Sequence, residues 1–423
     1  MELPKGTRDF MPEDKILRDD IVKTLKKNFE LFGYNPLETP ALEMYETLAS
    51  KYAGGGEILK ETYSLKDNAD RKLGLRYDLT VPFARVIAMN PQLKMPFKRY
   101  QIDKVWRDGP IKLGRYREFW QCDCDVVGSS SMIADAELIA LASKVFDDLD
   151  LEVTLYFNNR KLLNSILDYC GIKKSVQDDA IISIDKLKKI GFDGVKKELV
   201  EKGIADDNVE KIKEVFGTDG SNLENLKSIL KNKEGLEEIE KLMNYLKEFK
   251  VSGAQLDISL ARGLAYYTGT VYEVFLKSSE ISSSLAAGGR YDNMIGLLAG
   301  KKENVPAIGI SFGLDVISDA IKMIKKEKSR KTVVKVFIIP IKAENESVKL
   351  LSDLRNSGVN ADMDLIGRGI SKNLNYANQF GIPFVIIIGE DEIKKGKFKL
   401  RDMSSGEEKD LGKEELINFL SES

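Results

Sequence analysis

The chain has 423 residues, 43% hydrophobic and 31% charged; that is a globular composition too long for one ordinary core, so two or three domains are expected. Its formal net charge of -2, from 65 basic and 67 acidic residues, excludes a global basic footprint for nucleic acid and leaves only local RNA contacts. No apolar run reaches the length of a membrane span, and the start, MELPKGTRDF, has no apolar core behind a basic segment; neither a membrane helix nor a secretory signal is supported, and a cytoplasmic location is expected.

Two residue types narrow the chemistry. Three cysteines, Cys122, Cys124 and Cys170, cannot build a disulfide framework, which agrees with a reducing compartment. Cys122 and Cys124 are spaced for a strand and the chain has no histidine, so a protein-ligated metal such as zinc is not expected. The missing histidines also remove the commonest general acid or base and every nucleophile paired with imidazole. Catalysis must then come from positioning and electrostatics, and phosphoryl or nucleotidyl transfer suits that best.

After a polar lead-in, residues 14–32 carry helical apolar spacing at Ile16, Leu17, Ile21, Leu25, Phe29 and Leu31, and Gly33 stops that helix. Residues 34–40 are short and extended, punctuated by Pro36 and Pro40. Three glycines at 54–56 mark a flexible loop. Residues 63–66 pair with 73–77 across a turn at 67–70. Asp78, Leu79 and Thr80 then end a strand, and Pro82 opens a helix over 83–89. Asp78 and Thr80 are common cap types in such a place.

The chain is organised around residues 97–128, FKRYQIDKVWRDGPIKLGRYREFWQCDCDVVG. Two strand-like runs flank a turn at 108–114 holding Gly109, Pro110 and Gly114, which predicts a hairpin with a long loop. Alternation in the second run puts Arg115, Arg117, Phe119, Gln121, Asp123 and Asp125 on one face, with Tyr116, Trp120, Cys122, Cys124 and Val126 on the other. Arg107, Arg115 and Arg117 would repel one another unless polyanions or carboxylates lie between them. Their planar forks suit phosphate and carboxylate oxygens, and Gln121 and Asp125 can hold a polar or cationic group. A solvated strand face of mixed sign fits the same charges equally well.

A helix over 134–149 and a strand over 151–158 follow. Residues 160–249 are almost wholly helical and rich in Lys and Glu, with breaks near Gly191, Gly194 and Gly203, as in a helical insertion with solvated faces. Residues 255–260 alternate and lead into LARGLAYYTG, a predicted buried strand end carrying Arg262, Gly263, Tyr266 and Tyr267; an unpaired buried guanidinium would be costly there. In Ala287-Gly288-Gly289-Arg290 the paired glycines either admit a ligand close to the backbone or make a plain tight turn. PAIGISFGLDVI at 306–317 reads as a glycine-rich strand entering a helix, and KKEKSRK at 325–331 as a charged linker. Beyond it, strands at 333–341, 361–365 and 384–388 alternate with helices at 344–357 and 371–380; a hairpin to 402 and a helix at 413–420 complete a small α/β domain with a mostly parallel sheet. Arg368, Lys372 and Asn373 are candidate RNA contacts there, or parts of a solvated face.

An arginine closing a strand, a loop, then G-R-Y-R-E-F and Q-C-D-x-D resembles motif 2 of the class II aminoacyl-tRNA synthetases, in the form used by histidyl-tRNA synthetases. LRYDLTVPFAR resembles the family segment that grips the amino acid's ammonium group. RGLAYYTG resembles the signature that separates histidyl-tRNA synthetases from other class II enzymes. The 14–40 segment is similar to motif 1, 306–317 to motif 3, and the region through IPFVIIIGE to the anticodon-binding domain. Two positions depart from the family pattern: Ala265, where many relatives carry an acid or a hydroxyl, and Val316, which replaces the motif 3 arginine that packs on ATP.

The resemblance implies an α+β fold, an antiparallel class II sheet flanked by helices, with a catalytic domain over 1–325, a helical insertion at about 160–249 and an α/β anticodon-binding domain over 331–423. It implies activation of L-histidine with ATP and Mg²⁺ to histidyl-adenylate, then transfer to the 3′ end of tRNA(His) by a homodimer. On that reading Asp78, Leu79 and Thr80 lie at the amino acid's ammonium group, while Arg107 holds its carboxylate and the α-phosphate. Arg262 stabilises the charge built on that phosphate, Arg115 reaches the distal phosphates beside Mg²⁺, and Gln121, Asp125, Tyr266 and Tyr267 frame the imidazole. The alternatives are a non-catalytic histidine-binding regulatory subunit, to which Val316 would point, a sensor of uncharged tRNA, and a class II synthetase for another amino acid.

Overall fold

The computed structural model describes residues 1–50, 57–111, 114–217, 223–262, 266–277, 281, 283–300, 304–324 and 330–422. The glycines at 54–56, residues 325–329 of the linker, and Gly263, Leu264 and Ala265 lie outside the described residues. The chain divides into two compact units, one of Met1–Arg8 and Ile21–Lys325, the other of Asp9–Asp20 and Lys326–Ser423. Among the described residues no helix is long and apolar enough to cross a membrane.

In the larger unit, eight strands among the described residues make one sheet, in the order Asn35–Pro36, Phe97–Trp106, Glu118–Val127, Ala307–Gly313, Ala286–Arg290, Thr270–Leu276, Val153–Asn159 and Ala254–Leu256. The six central strands pair antiparallel, and each edge strand pairs parallel with its neighbour. The expected hairpin is present, with Phe97 opposite Val127 and Trp106 opposite Glu118. Its second strand begins at Glu118, so Arg115 and Arg117 lie in the loop, which is closed where Arg107 N donates to the Arg117 carbonyl at 2.9 Å. Cys122 and Cys124 turn into the core, as alternation requires.

Three local expectations are corrected. Residues 286–290, AAGGR, form a central strand and not a turn. Their glycines let neighbouring backbones close in, since a Cβ on Gly288 would sit 2.1 Å from the Gly309 carbonyl oxygen. The strand expected across 255–260 ends at Leu256, because Asp257 Oδ1 accepts from Ser259 N at 3.0 Å and Ser259 Oγ at 2.7 Å, a side-chain turn that leads the chain out of the sheet. Arg262 therefore lies in a loop before Thr270–Leu276. Third, the helix Thr80–Met89 starts ahead of Pro82, with Asp78 Oδ1 accepting from Val81 N at 3.0 Å; proline is tolerated in the first turn because no N–H is needed there.

The helical insertion separates the strands Val153–Asn159 and Ala254–Leu256, running from Arg160–Tyr169 to Glu234–Glu248. Each helix buries an apolar stripe, such as Leu162, Leu163 and Ile166 or Leu236, Ile239 and Leu242, and leaves its Lys and Glu outside.

In the smaller unit the sheet order is Ala361–Met363, Val336–Pro340, Phe384–Ile388, Lys397–Asp402, Glu408–Gly412. Val336 and Ile338 pack on one face with Leu350, Leu354, Leu416 and Leu420; Phe337 and Ile339 pack on the other with Ala377 and Ile382. The first three strands are parallel and the last two antiparallel, so the sheet is mixed where a mostly parallel one was expected. The hairpin lies at 397–412, behind an unexpected helix, Glu390–Lys395. Glu392 Oε2 accepts from Gly389 N at 2.9 Å to start that helix, and Gly396 at φ +62° ends it.

Candidate active site

The Glu118–Val127 strand presents Gln121, Asp123 and Asp125 to one side, the next two strands of the sheet add Gly309 and Ser311, then Gly288 and Gly289, and together they floor a cavity of about 160 Å³. A cavity of about 150 Å³ is known to admit a benzene ring, so this one suits a single small ring. Its walls are Asp78, Thr80, Arg107, Arg262, Tyr266, Tyr267 and Tyr291. Eight of the ten residues singled out from sequence thus surround one space. The other two do not: Leu79 is buried, its carbonyl accepting from Arg99 Nη2 at 3.2 Å, and Arg115 pairs with Glu61 at 2.8 Å on a half-exposed edge.

Asp125 is the most constrained group. Oδ2 pairs with Arg99 Nη2 at 2.7 Å, and Oδ1 accepts from Tyr291 Oη at 2.6 Å. Arg99 is wholly buried, its guanidinium 4.3 Å from the Phe83 ring centroid. Two residues away, Asp123 leaves Oδ1 without a hydrogen-bond partner among the described residues. Burial pushes its pKa up to about 7, with Arg99 opposing and Asp125 adding to the rise. Gln121 Nε2 donates to Ser311 Oγ at 3.0 Å, while Gln121 Oε1 has no hydrogen-bond partner among the described residues. The floor is therefore a row of acceptors, and it suits a ligand that brings N–H donors.

The walls carry positive charge. Arg107 Nε donates to the Tyr77 carbonyl at 2.9 Å, and its guanidinium lies 5.1 Å from the Phe119 ring centroid. Arg262 Nη1 approaches Glu273 Oε1 at 3.3 Å and the Tyr267 ring centroid at 5.8 Å. Burial lowers the Arg262 pKa, but Tyr267, Glu273 and Tyr266 together raise it further, so the group stays cationic. Tyr266 and Tyr267 pack at a tilt of 43°, with ring centroids 4.5 Å apart and hydroxyls at 3.4 Å. Two guanidiniums in the walls and carboxylates at the floor can hold an anion beside a cationic or N–H-bearing group.

Comparison with known proteins decides which family built this cavity. The family model described as "Histidyl-tRNA synthetase" matches residues 6–317, and that described as "Anticodon binding domain" matches 335–423. This chain belongs to the histidyl-tRNA synthetase family. Histidine–tRNA ligase 1 of a Bacillus cereus strain is 46% identical over 98% of each chain. The histidine–tRNA ligase of Bacteroides fragilis is 38% identical over 99% of this chain and 98% of its own. The crystal structure of histidyl-tRNA synthetase from a Nostoc species superposes with a TM-score of 0.89 at 32% identity, covering 100% of this chain and 99% of that one. The class II synthetase fold is thus the one expected from sequence.

Against the histidyl-tRNA synthetase pattern, Val316 is buried on the first turn of Leu314–Ile324, opposite Gly114 of the hairpin loop. A guanidinium does stand beside that turn: Arg8 Nη2 pairs with Asp315 Oδ1 at 2.6 Å and lies 3.5 Å from the Tyr116 ring centroid. Asp123, Arg99, Tyr291 and Glu273 had no role in the sequence reading. Asp123 was legible, since alternation already put it on the same face as Gln121 and Asp125. Arg99 and Tyr291 reach Asp125 across 26 and 166 residues, which no local pattern reports, and Glu273 meets Arg262 from the neighbouring strand.

Proposed function

We propose that this cavity is where the histidine–tRNA ligase reaction of the family takes place, with L-histidine condensed with ATP to histidyl-adenylate and the histidyl group then passed to the 3′ end of tRNA(His). What carries this reading is the convergence of Arg107, Arg262 and Asp125 on one ring-sized cavity. The imidazole would lie against Asp125, Gln121, Tyr266 and Tyr267, with the ammonium group toward Asp78 and Thr80. Arg107 would bridge the carboxylate and α-phosphate, and Arg262 would stabilise charge building on that phosphate during in-line attack. Arg115, released from Glu61, would meet the distal phosphates of ATP, which enters with Mg²⁺ as part of the substrate. A buried acceptor row rejects ligands without matching N–H groups, because they leave it unpaired.

The domain reading goes with it: residues 1–325 as the catalytic part with its insertion, and 331–423 as the part that reads the anticodon. A cytoplasmic homodimer is the assembly this reading expects. The test is exchange of pyrophosphate into ATP, measured with each amino acid in turn. Exchange with histidine alone supports the reading, and Arg262→Ala should lower it by about a hundredfold or more. Binding of histidine with no exchange would instead favour a regulatory subunit.

A further inference from the structure

Arg262 reaches the cavity from an unusual backbone. Its φ is +48°, a left-handed conformation uncommon for a residue with a side chain. Residues held this way persist only where their surroundings over-determine them. Here the restraint comes from outside the sheet. Asp185, the C-cap of the insertion helix Lys174–Ile184, turns Oδ1 onto two successive backbone N–H groups, accepting from Ala261 at 3.1 Å and from Arg262 at 2.9 Å. Two adjacent N–H groups aimed at one carboxylate oxygen form an anion-binding concavity, and a left-handed residue is what makes such adjacent donors converge.

The rest of the segment is tied independently. Asn158 Nδ2, on the sheet, donates to the Ile258 and Leu260 carbonyls at 2.9 and 2.8 Å. Lys188, also on the insertion, pairs with Asp257 at 2.5 Å. The sheet therefore holds the carbonyls of this loop while the insertion holds the N–H groups at Arg262. Losing the sheet contact would move the loop; losing Asp185 would free the φ angle from which the guanidinium is aimed.

We infer that Asp185 is the positioning residue for Arg262, a carboxylate of the helical insertion that fixes the backbone from which the arginine enters the cavity. The inference rests on the assignment of Arg262 to the α-phosphate. Asp185 touches neither substrate; it acts through Arg262. A misplacement of about 1 Å at a charge-stabilising group can cost about a hundredfold in rate.

The experiment is histidine-dependent pyrophosphate exchange with the full-length protein and the variants Arg262→Ala, Asp185→Ala, Asp185→Asn, Asp185→Glu and the Asp185→Ala/Arg262→Ala pair, with thermal denaturation of each. Asp185→Ala should lower kcat about 10- to 100-fold with a smaller change in the KM for histidine. Asp185→Asn keeps an acceptor oxygen in place and should stay within a few-fold of wild type. The double variant should be no slower than Arg262→Ala, since both changes remove one function. Should Asp185→Ala fail to fold, Asp185→Glu carries the test, because it keeps the charge but displaces the oxygen, and kcat should fall while the melting temperature holds.

Wild-type kcat in Asp185→Ala, or in Asp185→Glu where Asp185→Ala does not fold, overturns the inference, as does multiplication of the two single defects in the double variant. In either case the assignment of Arg262 survives if Arg262→Ala is impaired. If Arg262→Ala exchanges at the wild-type rate, that assignment fails first.

Discussion

Gly309→Ala tests whether the cavity floor is as tightly built as its distances imply. Gly309 lies opposite Asp125 across the strand pair, and an added Cβ would fall 1.9 Å from Asp125 Oδ1 and 2.7 Å from Cγ. The carboxylate would have to retreat by about 1.5 Å to restore ordinary contact. It has no room to do so without losing Tyr291 at 2.6 Å, Arg99 at 2.7 Å, or both. Loss of the tyrosine contact alone costs about 1.5–3 kcal/mol; breaking the buried pair with Arg99 costs about 3–5 kcal/mol. The expected loss of stability is therefore about 1.5–5 kcal/mol, according to which contact gives way, read as a lower urea midpoint. On the proposed function the same carboxylate would receive the imidazole, so the KM for histidine in pyrophosphate exchange should rise at least tenfold, with the KM for ATP little changed. A variant with a wild-type urea midpoint and a histidine KM within twofold of wild type would refute this account of Asp125.

Asp123→Asn should change how stability depends on pH. Burial raises the Asp123 pKa to about 7, above its unfolded value of about 3.9, so the folded state disfavours the ionised form. That cost is absent below the unfolded value, grows as pH rises toward 7 and is fully present above it. The variant cannot ionise and should gain on wild type between pH 5 and pH 8 in denaturation midpoint; parallel pH profiles would discard the idea. Tyr291→Phe removes the hydroxyl that donates to Asp125 and should lower kcat/KM for histidine about tenfold or more, the worth of a hydrogen bond to a charged group. Glu61→Gln, at the half-exposed pair with Arg115, should shift stability by less than about 1 kcal/mol in urea, and a loss above about 2 kcal/mol would mean the hairpin loop depends on that pair.

The hairpin was legible because its alternation is long and its loop carries Gly109, Pro110 and Gly114, so the face shared by Gln121, Asp123 and Asp125 followed from period alone, although Arg115 and Arg117, expected on that strand, lie in the loop. The insertion was legible for the matching reason, a repeated 3.6 spacing with charge outside. AAGGR was not, since residues without β propensity form a strand only where neighbouring backbones demand the space, and that demand comes from Gly309 and Thr270. The helix Glu390–Lys395 was missed because its six residues are too short to show a period. In the site, the residue types and face of Gln121, Asp123 and Asp125 could be read directly. Arg99 could not, because its strand is read as a mixed surface until Asp125 is known to lie opposite it. Asp185 was beyond reach, separated from Arg262 by 77 residues.

Beside the side chains of Gln121, Asp123 and Asp125, the cavity floor is bare peptide backbone at Gly288, Gly289 and Gly309. Its depth is consequently a property of strand spacing, and no rearrangement of side chains can deepen it by a fraction of an ångström. A change in the size of ring the cavity admits would therefore have to come from the side chains of its walls, Tyr266 and Tyr267 among them.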